Sequence, residues 1–309
     1  MRMQNRFTPY IVSLALSRAF FAIFSLTFLN GDVPVNRLVH PKENLYFAIA
    51  SVISALFYMF FAAITLGTAA VAFLSGEFDA LFGLGVFYLY LLAFVLFLVI
   101  SQGVFVGWLR GNGVRLSASQ FPDTYKLAVQ LSEQLGLRRV PEIFLIESGG
   151  LLNAFATRFL GRNFVVLYSD VLELAYQEGV DEVAFVIAHE LAHIKRNHLG
   201  WQWFLYPSRV LPFLWTAYLR ACEYTCDAIA AELCPKGAVR GLVLLAAGKK
   251  LYRQVNLEVL SNQADSERGF WVWCAEIFST HPHLTRRLDR LMHGLGGSTR
   301  VAGLRTART

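Results

Sequence analysis

Over much of the first hundred residues the alternation of polar and apolar positions disappears. Tyr46 to Leu74 and Ala80 to Leu109 contain no charged residue, and each is long enough to cross a bilayer with some tilt. A short acidic turn around Glu77 and Asp79 joins them. The pattern therefore predicts an antiparallel transmembrane hairpin, with Tyr46 and Trp108 placed as interfacial aromatics. An earlier apolar stretch, Ile11 to Leu29, carries Arg18 near its middle. An arginine at mid-bilayer costs at least a few kcal/mol, so this stretch reads as a candidate membrane helix that either spans or lies in the interface. The region around Asn30 lacks a small-x-small cleavage pattern, which argues against a signal peptide.

From about Arg115 the periodicity becomes that of a mixed domain. Asp123 to Leu137 has helical spacing, and Glu142–Ile146, Asn153–Thr157 and Asn163–Tyr168 read as short strands. A helix is expected from Ser169 and Asp170, with Glu173 at capping-box distance, and another over Asp181 to Asn197. Trp201 to Leu219 is apolar but broken by Pro207, Arg209 and Pro212. It is read as a buried or interface-hugging connection in preference to a further, broken membrane segment. From Gly237 the chain is helical, and 294–309 has the texture of a flexible basic tail.

Composition supports bilayer contact. Hydrophobic residues make up 55% and charged residues 16%, below the roughly 25% charged of a soluble domain. The net charge of +6 raises the question of nucleic acid, but the basic residues are scattered. They gather only loosely at Arg286, Arg287, Arg290, Arg300, Arg305 and Arg308, with no aromatic interleaving. No nucleic-acid partner is expected. Lys and Arg flank the hairpin on both outer sides and are missing from its turn, which places the flanks, and the domain after them, on the cytoplasmic side. Cys222, Cys226, Cys234 and Cys274 form neither a disulfide framework nor a C-x-x-C pair, and are expected to be free thiols.

The chemistry concentrates in His189-Glu190-Leu191-Ala192-His193, an H-E-x-x-H motif inside the apolar run Val183 to Ile194. On a helix, residues four apart share a face, so both imidazoles reach one ion, with Glu190 one step around as a proton acceptor. A catalytic metal needs a third protein ligand and an open position. A histidine six residues after the second, with glycine between, is excluded because those positions hold Leu199 and Arg196. His198 is one residue out of that register and reads as a helix-end or surface histidine. A glutamate on a later helix remains, and Glu223, with Asp227 one turn beyond to orient a ligand imidazole, is the candidate.

Taken together, these motifs resemble the HtpX-type membrane zinc metallopeptidases, the gluzincin group that also includes the CAAX prenyl endopeptidase. The resemblance runs from about Asp123 to Leu291. It is carried by Val140-Pro141-Glu142, Asn153-Ala154-Phe155-Ala156, Ala188 to His193, Arg220 with Glu223 and Asp227, and Thr280-His281-Pro282 with Arg287. His283 and Cys226 depart from the family's usual residues. The resemblance implies that Glu223 is the third zinc ligand and that Asn153, Ala154 and Phe155 lie on an edge strand that binds substrate by backbone pairing. It also implies that His281 and Arg287 stand near the metal, His281 as a transition-state stabiliser. Taken alone, His281 before a proline reads only as a turn histidine.

The expected fold class is α+β, mainly α. Residues 1–45 form a basic segment with the candidate membrane helix, 46–109 the hairpin, 115–293 a zincin-like metallopeptidase domain with a small edge-strand sheet, and 294–309 the tail. The expected activity is hydrolysis of peptide bonds in membrane or juxtamembrane proteins, with one Zn2+ per chain. The partners are protein or peptide substrates and the lipid bilayer, and the expected location is a bacterial inner membrane with the catalytic domain in the cytoplasm. A zinc-stabilised scaffold without activity, and a prenyl-protein processing protease, are the alternatives.

Overall fold

A computed structural model describes residues 35–147, 149, 153–176 and 179–294. The candidate membrane helix Ile11–Leu29 lies outside the described residues, as does the tail apart from its first position. After a single helical turn over Val35–Leu38 come two long helices, α1 (Pro41–Ser75) and α2 (Asp79–Asn112). Pro41 opens α1 where a missing N–H costs nothing, and the His40 side chain accepts a bond from Lys42 N at 3.2 Å. Gly76, with φ at 74°, closes it in the left-handed conformation that glycine permits.

At 35 and 34 residues each helix is about 50 Å long, against about 30 Å for a hydrocarbon core. The surplus lies at the end that meets the rest of the protein. There Glu43, Ala50 and Ser54 of α1 and Val106 and Leu109 of α2 are buried. Toward the turn the helices present Phe73, Leu74 and Phe82 almost fully exposed. A water-soluble surface does not keep such a continuous apolar coat, whereas a bilayer requires one.

Beyond α2 come β1 (Val114–Arg115), α3 (Pro122–Gln134), β2 (Glu142–Ile146), β3 (Ala154–Phe159), β4 (Arg162–Tyr168), α4 (Ser169–Ala175) and α5 (Val180–Lys195). The sheet order is β1-β2-β4-β3; β2 and β4 run parallel, and β3 pairs antiparallel with β4. One face packs on α5 through Ala154, Val165 and Leu167. The other packs on α2, where Phe144, Phe164 and Val166 meet Val106 and Leu109.

β3 is an edge strand, with no described strand on its outer side. Its ladder has a definite phase, because Tyr168 N donates to Asn153 O at 3.1 Å. By antiparallel alternation, Phe155 and Thr157 point their backbone groups at β4, while Ala154, Ala156 and Arg158 point theirs outward. The outward N–H of Ala154 is held by the Asn153 side chain at 2.9 Å.

The remaining helices are α6 (Pro212–Leu233), α7 (Ala238–Leu251), α8 (Leu257–Ser266), α9 (Phe270–Phe278) and α10 (Leu284–Asp289). The apolar stretch 201–219 is not one helix. A short turn over His198–Trp201 and a 3-10 turn over Tyr206–Val210 precede Pro212, where α6 begins. The stretch follows α1: Tyr58 donates to Phe204 O at 3.2 Å, and Ala50 packs with Leu205, Tyr218 and Cys222. Trp203, Val210, Leu211 and Phe213 remain exposed.

Candidate metal centre

α5 is buried nearly all round, which fixes the direction of each polar group it carries. His189 and His193, one turn apart, present their Nε2 atoms 3.3 Å from each other. α6 crosses behind and brings Glu223, whose Oε2 is 3.4 Å from His189 Nε2 and whose Oε1 is 3.3 Å from His193 Nε2. Donors around a tetrahedral ion at 2.0–2.1 Å stand about 3.3 Å apart, so the two nitrogens and the Glu223 carboxylate fit such an ion.

Behind them, His189 Nδ1 lies 3.0 Å from Asp227 Oδ1. Arg287, from α10, donates through Nε and Nη2 to Asp227 at 2.7 and 2.6 Å, and its Nη1 is 3.4 Å from Glu223 Oε2. His281 stands at the open side, mostly exposed, with Nε2 3.7 Å from Glu223 Oε1 and Nδ1 2.9 Å from the Thr280 hydroxyl.

The electrostatics call for a positive charge at this point. Burial opposes protonation of His189, but Asp227 and Glu223 outweigh it and raise its pKa to about 10. Burial likewise opposes ionisation of Glu223, and the two imidazoles nonetheless hold its carboxyl well below the usual range. Two buried carboxylates thus keep a proton on His189 unless a cation takes its place. Two other groupings of metal-ligating atoms exist among the described residues, His193 with His198 and Cys226, and Glu43 with His198 and Cys222. They fit an ion less well. Burial pushes both thiols well up, toward the protonated form, and Glu43 already pairs with Arg196.

A cavity of about 500 Å³ opens over the triangle. Glu190 lines it with His189 and His193, and so do Asn153, Ala154 and Phe155, His281 and Arg287. The structure therefore brings the candidate ligands, Glu190, His281, Arg287 and the Asn153–Phe155 segment to one place. Asp227 lies behind the ligand atoms, and Arg220 is engaged elsewhere with the carbonyls of Glu276, Ile277 and Ser279. Phe155 also packs against Phe105 of α2.

His198 stands at a helix end, as one of the two readings from the sequence had it, but it is not at the surface. Asn197 adopts the left-handed conformation at φ 56°, and this turns His198 back beneath His193, where it is buried. Burial holds its pKa down at about 4. The sequence signal was Asn197 itself, one of the few non-glycine residues that take that conformation readily. Glu43 and Arg196, its neighbours, were likewise not foreseen. The four cysteines are free thiols, three of them buried.

A profile of Peptidase family M48 matches residues 120–206 and 201–294, more than half of the chain. Plastoglobule-localized metallopeptidase 48, chloroplastic, of Arabidopsis thaliana is 29% identical over 175 residues, covering 50% of this chain and 49% of the relative. The chain thus spans about half the length of the curated relative it matches. Among solved structures, the crystal structure of S. mikatae Ste24p aligns with a TM-score of 0.45 at 16% identity, over 91% of this chain and 74% of that one. The matched span contains the whole triangle of donors, and the chain belongs to peptidase family M48.

Proposed function

We propose that this protein is a membrane-bound, zinc-dependent endopeptidase, acting on membrane or juxtamembrane proteins from the cytoplasmic side of a bacterial inner membrane. The observation that carries the reading is the triangle of His189 Nε2, His193 Nε2 and the Glu223 carboxylate, 3.3 to 3.4 Å on a side, at the floor of a cavity bordered by an edge strand. Two nitrogens and one carboxylate suit zinc, and three protein donors leave a coordination position free. When bound, zinc supplies a Lewis acid that polarises the scissile carbonyl and acidifies water.

The chain's own residues do the rest. An extended peptide pairs with the outward groups of Ala156 and Arg158 on β3, which lays it across the cavity. Glu190 takes the proton of the attacking water and hands it to the leaving amine. His281, exposed at the rim, donates to the oxygen on which charge develops. The similarity places Arg287 beside the metal. Its guanidinium is engaged with Asp227 and faces Glu223, so the reading gives it the task of holding both carboxylates in place.

Zinc content and casein hydrolysis, measured in detergent on wild type and Glu190→Gln, test this. One zinc in each with hydrolysis only in wild type is the expected result, with activity falling by at least about a hundredfold. Near-normal hydrolysis by Glu190→Gln removes the base. Zinc without hydrolysis in either protein favours a scaffold.

A further inference from the structure

His193 turns Nε2 toward the other two donors, so its second nitrogen, Nδ1, faces away from them. A ligating nitrogen must offer its lone pair, and in the neutral ring the proton is then on Nδ1. That Nδ1 is 3.0 Å from Nδ1 of His198. Of two imidazole nitrogens at this distance one donates and the other accepts, so His193 is the donor. His198 therefore carries its own proton on Nε2, which lies 3.2 Å from Oε1 of Glu43. The same oxygen receives Arg196 Nε at 3.1 Å and Nη2 at 2.7 Å. Every donor in this chain points the same way, from His193 toward a carboxylate fixed at the foot of α1. The Cys226 sulfur, 3.8 Å from His198 Nδ1, is a weak partner that does not compete.

Glu43 and His198 are both buried. Burying a carboxylate and an imidazole is unfavourable unless each is satisfied, and no step of the proteolytic reaction uses either. We propose that His198 and Glu43 are positioning residues for His193, a carboxylate–imidazole pair that fixes the tautomer and ring orientation of this ligand. His189 has its carboxylate directly, in Asp227. His193 has one at second hand, contributed by a membrane helix 155 residues before His198. The metal centre is in this way tied to α1. The inference rests on the reading of His193 as a ligand.

The test uses the full-length protein in detergent. Zinc affinity is measured by competition with a chelating dye, and the visible spectrum of the Co2+-substituted protein is recorded beside it, for wild type, His198→Phe, His198→Gln and Glu43→Gln. Phenylalanine fills the space but neither donates nor accepts; glutamine can do both. His198→Phe is expected to weaken zinc binding about ten- to a hundredfold, the usual effect of losing such an outer partner, and to shift the Co2+ bands. His198→Gln recovers most of the affinity and Glu43→Gln falls between them. KM for a peptide stays within about twofold while kcat drops. Circular dichroism of the metal-free proteins establishes that each variant is folded, and if His198→Phe is not, Glu43→Gln decides alone. Wild-type affinity and spectrum in the folded variants overturn the proposal, as does an equal loss in His198→Phe and His198→Gln, which marks filled volume as the only requirement. A wild type that takes up no zinc overturns the ligand reading itself, and is seen before any variant is compared.

Discussion

At His189 the balance between proton and metal can be given a sign. Its metal-free pKa of about 10, raised by Asp227 and Glu223 against the effect of burial, means that zinc must displace a proton across the whole neutral range. Apparent zinc affinity is therefore expected to fall about tenfold for each pH unit between 8 and 6, through this group alone. Calorimetry in buffers of different ionisation enthalpy should register the released proton. An affinity flat with pH would mean that His189 is not the displaced group. The metal-free protein shows the linked effect: stability contributed by this imidazole is full below its ordinary pKa of 6.5 and is lost as pH rises toward 10. The sequence announced His189 and His193 because helical spacing alone puts them on one face. Glu223 and Asp227 followed from the same spacing one helix later. Glu43 could not be found this way, since its contact with His198 is made across 155 positions and depends on how α1 docks.

Among the elements, β3 lends itself to a direct experiment. Proline is tolerated on a strand edge where the N–H points away from the sheet, and the ladder phase assigns Ala156 to that class. Ala156→Pro is expected to leave the fold and zinc content intact while raising KM for an extended peptide several-fold, through the loss of one outward donor. Melting temperature and steady-state kinetics check it, and an unchanged KM would argue against pairing along this edge. The strands were legible to within a residue or two, as Glu142–Ile146 and Ala154–Phe159 show, because short β-rich runs lay between glycine-bearing turns. The stretch 201–219 was harder to read. Its apolar positions serve two surfaces at once, with Leu205 and Tyr218 facing α1 and Trp203 and Phe213 facing outward, and Pro212 opens a new helix partway along. No single periodicity describes such a segment.

At the scale of the molecule, the two long apolar helices pack into the same body as the candidate metal centre. Removing everything before Gly113 would strip cover from Phe144, Phe164 and Val166 on one side and from Leu205, Tyr218 and Cys222 on the other. Such a truncated protein is expected to aggregate without detergent and to bind zinc poorly, as gel filtration and metal analysis would report. A soluble, zinc-loaded fragment would reduce the helices to tethers. The surplus length of α1 has one more consequence. With the hydrocarbon core occupied by about the last twenty residues of the helix, Glu43 stands some thirteen residues, or about 20 Å, above it. His198 contacts Glu43 and His193 contacts His198, so on the proposed reading the bond to be cut is expected at about that height. If the proposed function holds, a substrate anchored in the same bilayer is expected to need a spacer of about six extended residues between its membrane segment and the bond to be cut. The helix would then act as a ruler, and a series of substrates differing only in spacer length would read its setting.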